Sequence, residues 1–187
     1  MSQFRPADYF GIQRVLEPKG VLPQQALRLD PSLPIAEDEL LIDVESLNID
    51  SASFHQIQEA CHRNEVQMQR HVLDLVARRG KHHNPVTGSG GMLIGRVLQV
   101  GPKFPVSQKP VAVGDRIATL VSLTLTPLEI RQIKKIHPET DRIDVRGHAI
   151  LFGSGIFAQL PCDLPESVAL AVFDVAGAPA QTQKLVQ

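Results

Sequence analysis

The chain has 187 residues, 43% hydrophobic and 21% charged, with a formal net charge of −1. That is enough to bury a real core in one large or two small domains, and a near-neutral charge speaks against nucleic acid or an anionic membrane as partner. Met1 to Phe10 lacks the basic-then-apolar order of a signal peptide, and no apolar run is long enough to span a bilayer. Two cysteines, Cys61 and Cys162, build neither a disulfide framework nor a zinc cluster by themselves, so a reducing cytoplasm is expected.

In chain order, Arg14 to Leu16 is a short apolar segment stopped by the turn Glu17-Pro18-Lys19-Gly20. Glu39 to Leu47 reads as a strand, with Leu40, Ile42 and Val44 on one face and Asp43 and Glu45 on the other. Ser53 to Gly80 reads as a helix. Ser53 and Gln56 would form its capping box, Phe54, Ile57, Cys61, Met68, Val72 and Leu75 its apolar stripe, and Gly80 its left-handed stop. The helix is long, which leaves room for a break near Asn64. Met92 to Val100 and Ile117 to Leu123 are strands, the second entered through the turn Val113-Gly114-Asp115-Arg116. Thr126-Pro127-Leu128-Glu129 looks like a helix start that runs to His137-Pro138. Strands Ala149 to Phe152 and Ile156 to Leu160 follow, and Pro165 opens a last helix to about Ala176. Gly177-Ala178-Pro179 interrupts it. The expected architecture is mainly β with inserted helices (α+β), an antiparallel barrel.

Few motifs carry chemistry. Gly153-Ser154-Gly155-Ile156-Phe157-Ala158 matches a dinucleotide fingerprint, but Pro161 and Pro165 leave no helix to meet a pyrophosphate, so a hairpin turn is expected. The loop Gly88 to Gly91 runs into a strand and reads as a backbone turn near a ligand. His55, Cys61, His62, His71, His82 and His83 lack zinc-ligand spacing and read as a solvated helix surface; a metal-binding helix is the remote alternative. Cys162 precedes a helix, where a thiol pKa is lowered, but reads as a small, partly buried residue. Asp50 and Ser51, at a strand-to-helix junction, suit either proton transfer or helix capping.

Several stretches together resemble the medium-chain dehydrogenase superfamily. They are Leu40 to Leu47 running into Asn48-x-Asp50, the strand Gly95 to Gly101, and Val113-Gly114-Asp115-Arg116-Ile117. Closer matches are Glu17 to Pro23, Leu47 to Phe54, the run Asn84-Pro85-Val86-Thr87-Gly88-Ser89-Gly90-Gly91 with Met92 to Gly95, Ile117 to Leu123, and Asp174 to Gln181. These are similar to the L-erythro-3,5-diaminohexanoate dehydrogenase family.

The resemblance implies a GroES-like, partly open β-barrel over residues 1–164 with a helical insertion at about 53–80. Residues 165–187 would be linker helices toward a Rossmann domain that this chain lacks. Its activity would be an NAD- or NADP-dependent oxidative deamination of a small diamino acid in lysine degradation. The missing half would lie in a C-terminal extension or a separate chain, and the complete enzyme would be a homo-oligomer. Zinc-dependent members carry a cysteine where this chain has Asn48 to Ser51, and Gly-His-Glu where it has Gly90, Gly91 and Met92, so no zinc is expected. Asp50 would be the general base and Ser51 its relay. Asn48, Thr87, Ser89, Gly90, Lys19 and Asp174 would bind substrate, and Gly177, Ala178 and Pro179 would run beside the nicotinamide. The last helix, with Val168 and Leu170, would be sticky without its second domain. A non-catalytic GroES-like binding module is the competing reading.

Overall fold

The computed structural model describes residues 4–86, 88–106, 110–161, 163 and 165–171. A short 3-10 turn leads into β1 (Val15–Glu17), which pairs with β2 (Arg28–Leu29). A six-stranded antiparallel sheet follows from β3 (Leu40–Asn48), β4 (Met92–Val100), β5 (Arg116–Thr119), β6 (Leu128–His137), β7 (Arg142–Leu151) and β8 (Phe157–Gln159). Its order is β6-β7-β3-β4-β5-β8, so β3 lies inside, between β7 and β4. The two outer strands are not bonded to each other: the sheet is open. Helices α1 (Ser51–Ala60) and α2 (Glu65–Arg79) lie between β3 and β4, and α3 (Glu166–Ala171) follows β8. The expected mainly β, α+β class is the one found.

The main core gathers the inward faces of β3, β4, β6 and β7 under α1 and α2. Every residue of the expected helical stripe is buried, from Phe54 at 0% exposed to Leu75 at 9%. Alternation along β3 changes phase. Leu40, Ile42 and Val44 point into the core, but so do Leu47 and Ile49. The register against both neighbours shifts between Val44 and Ser46, as a β-bulge does. Against β4 the extra residue is Glu45, whose carboxylate accepts from Arg116 Nε at 2.6 Å and pairs with Arg96 Nε at 3.1 Å. With the phase flipped, Asn48 and Asp50 face away from the core instead of into it.

Several expectations are corrected. The helix over 53–80 does break near Asn64, into two helices parted by His62 and Arg63 at φ 50° and 56°, but its cap is not the one expected. Ser53 is not its cap but a buried residue in the first turn of α1; Asp50 caps α1 and Asn64 caps α2. The segment from Thr126 to His137 is a strand, β6, not a helix. Leu128, Ile133 and Ile136 mimic a helical stripe because two register shifts, at 130/132 and 133/135, each add one residue to a period of two. The strand expected over 117–123 ends at Thr119, where the chain leaves the sheet and Leu123 N donates to Gly91 O at 2.8 Å. Gly153 to Gly155 form a turn, as expected, but no hairpin: β7 pairs with β3 and β6, whereas β8 pairs with β5. Leu170 of α3 is not left bare. It packs against Met92, Ile94 and Ala118, while Val168 is 46% exposed.

Candidate functional site

The strand end that the bulge re-aims opens into a polar cleft of about 480 Å³. Asn48, Asp50 and Ser51 enter from the β3–α1 junction, Thr140 and Asp141 from the β6–β7 turn. Ser89 and Gly91 come from the loop before β4, and Ser122 from the segment after β5. Pairing of Asn48 with Arg142 across β3 and β7 brings the turn to the junction.

Asp50 does the work of a helix cap: its Oδ1 accepts from Ser53 N at 3.2 Å and its carbonyl from Phe54 N at 2.8 Å. Its second carboxylate oxygen makes no hydrogen bond to a described residue, and the side chain is exposed. Ser51 does not reach Asp50. Its hydroxyl donates to Asp141 Oδ2 at 2.5 Å. Asp141 holds the left-handed conformation, φ 52°, which aspartate tolerates better than most side chains. Its carbonyl accepts from Ile49 N at 2.9 Å. A second carboxylate is thus fixed in the cleft, 90 residues from Ser51. Sequence reasoning missed it because Glu139-Thr140-Asp141 was taken to follow a helix. Read as a hairpin tip between two strands, those residues would have pointed to it.

Of the residues expected at the site, the fold brings together Asn48, Asp50, Ser51 and Ser89. Gly90 is buried beside them: a Cβ there would sit 2.8 Å from His82 O and from Thr124 N. Lys19 stands exposed in the β1–β2 connection and is not among the cleft's lining residues. Thr87, Cys162, Asp174, Gly177, Ala178 and Pro179 lie outside the described residues. The Gly88 amide, in the loop expected to turn near a ligand, already donates to Asn84 O at 2.9 Å.

The histidine-rich segment is not a uniformly solvated surface. His55, His62 and His71 are exposed, but Cys61 and His82 are buried. Burial pushes His82 down to about 4, against a smaller opposite pull from the Gly90 backbone, so its ring is neutral at pH 7. Burial, then the charges of Lys81 and Arg79, lower His83. Lys81 turns inward and donates from Nζ to the carbonyls of Pro23 and Thr124, both at 2.8 Å, which ties the loop to its surroundings.

Among the described residues no three His, Cys, Asp or Glu side chains converge. Gly91 is the residue just before β4. Its φ is 85°, and an added Cβ would lie 2.0 Å from Asn48 O. No side chain fits there without moving the end of β3.

Residues 13–161 match the family described as L-erythro-3,5-diaminohexanoate dehydrogenase N-terminal domain. Two curated relatives carry the name L-erythro-3,5-diaminohexanoate dehydrogenase. One, from Acetoanaerobium sticklandii, is 53% identical over 178 residues, 95% of this chain and 52% of the relative. The other, from Fusobacterium nucleatum, is 54% identical over 178 residues, 95% of this chain and 51% of the relative. The chain therefore spans about half the length of the curated relatives it matches. With a match across most of its sheet and the cleft at the end of β3, the chain belongs to the L-erythro-3,5-diaminohexanoate dehydrogenase N-terminal domain family.

Proposed function

We propose that this chain supplies the substrate-binding half of an NAD- or NADP-dependent oxidoreductase. The reaction is oxidative deamination of L-erythro-3,5-diaminohexanoate to 5-amino-3-oxohexanoate, a step of lysine degradation. The family and the relatives' name support the reaction class. The observation that carries the site is the pair of carboxylates, Asp50 and Asp141, in one cleft. We read the open antiparallel sheet as GroES-like, residues 1–164 as one domain, and 165–187 as the link to a cofactor-binding domain.

The substrate named has two ammonium groups and one carboxylate. Two aspartates match two ammonium groups, since charge-assisted hydrogen bonds are the strong ones. The C3 ammonium must lose a proton before the C3–H bond can break. Asp50, with one carboxylate oxygen uncommitted, is the base that takes it. The nitrogen lone pair then forms the C=N bond as hydride leaves C3. Water adds to that carbon and ammonia departs, which leaves the 3-keto acid. A nicotinamide supplies the hydride acceptor when bound. Asp141, with Ser51 bonded to it, holds the other ammonium, and Asn48 and Ser89 orient the chain of the substrate. Because Gly91 leaves no place for a zinc-binding side chain, no step is assigned to a metal.

The test joins this chain to the second half of a full-length relative. Reduced nicotinamide should then accumulate only when the diamino acid is present. A folded, cofactor-binding fusion that stays silent would remove the dehydrogenase reading and leave the ligand-binding module.

A further inference from the structure

Helix α1 begins at the polar cleft, and its other end helps wall a second cavity of about 600 Å³. Its walls are apolar: Leu27 after β1, Ile57 and Ala60 of α1, Leu75 of α2, and Pro85 and Val86 of the following loop. His82, fully buried, also lines it. That ring is uncharged at neutral pH, so any charge for a ligand comes from elsewhere.

It comes from arginine. Arg28, Arg78 and Arg79 line the cavity with His71, against a single acid, Glu17. Arg78 donates from Nε to its own helix at Asp74 O, 3.1 Å. The side chains of Arg28 and Arg79 make no hydrogen bond or ion pair with a described residue. Arg78 and Arg79 also sit at the end of α2, where a helix favours cations anyway. Arg28 has no such reason: it lies on β2, paired in register with Glu17 yet not ion-paired to it. Unspent guanidinium groups around an apolar hollow of this size are what a small anionic ligand requires.

We propose that this cavity is a second ligand site, separate from the cleft, which takes an organic anion: an apolar body bearing one carboxylate or phosphate, held by Arg28 and Arg79. Calorimetric titration of the chain with octanoate and with octyl phosphate tests it and distinguishes the two headgroups. At least one should bind, octanol should bind about tenfold more weakly, and octylamine not at all. The double variant Arg28→Ala/Arg79→Ala should lose about tenfold or more in affinity for the anion that binds. Ala60 is exposed at the end of α1, so Ala60→Phe should fill the cavity and abolish binding while the melting temperature stays put. No heat from either anion at millimolar concentration would overturn the proposal. So would octanol binding as tightly as the anions, or undiminished binding in Ala60→Phe.

Discussion

Strand β3 has a charged cluster at each end, and the two are built on opposite principles. At its start, Glu39 and Arg14 are both 0% exposed and meet as a bidentate pair, Arg14 Nε to Oε1 at 3.0 Å and Nη2 to Oε2 at 2.6 Å. Gln13 and the Ala36 amide supply Glu39's remaining donors, and the carbonyls of Asp30, Ser32 and Pro34 take Arg14's remaining protons. At its other end, Asp50, Ser51 and Asp141 are open to the cleft, and Asp50 keeps an oxygen uncommitted. A buried carboxylate whose bonds are all made holds the N-terminal segment to the sheet. An exposed one with capacity left is where the proposed substrate ammonium would bind.

The contrast can be broken at its buried end first. Arg14→Ala leaves Glu39 charged and unpaired, and should cost about 3–5 kcal/mol in urea unfolding, whereas Arg14→Met with Glu39→Leu should cost less than the single change. The next effect follows from His82. Its unfolded value is 6.5 and its folded value about 4, so between those values the unfolded chain holds the extra proton. Stability contributed by the neutral ring is therefore complete above pH 6.5 and is lost as pH falls to about 4, by roughly 3 kcal/mol. His82→Leu should flatten that limb of the stability–pH curve. Gly91→Ala should cost about 1–3 kcal/mol, through a left-handed conformation and the contact with Asn48 O. Smallest are the changes at the cap. Asp50→Ala should cost about 1 kcal/mol, but Asp50→Asn, itself a good cap, under about 0.5 kcal/mol by thermal melts.

Much of this was legible before any coordinates. Strand β4 runs over the residues expected, and the helical stripe from Phe54 to Leu75 is buried as its spacing demands. Failures come from bulges, which change the phase of a period-two pattern without any mark in composition. In β6 two of them disguised a strand as a helix, and the hairpin tip that carries Asp141 went unread. In β3 one of them decides that Asn48 and Asp50 face the cleft. Asp50 and Ser51 were legible as an acid and a hydroxyl at a junction. Their partners were not, because Ser51's acceptor lies 90 residues away. His82 was misread because it was grouped with the exposed His55, His62 and His71, whereas the tertiary fold buries it together with Lys81.

Asp50→Asn also isolates the chemistry, because it keeps the cap and removes the proposed base. The decisive measurement is the rate of nicotinamide reduction with L-erythro-3,5-diaminohexanoate, in the enzyme completed by its second half, for that variant against the parent. A folded Asp50→Asn enzyme should turn over at least ~100-fold more slowly. Turnover near the parent's would contradict the assignment of this carboxylate, and with it the claim that the free end of β3 is where the amine gives up its proton.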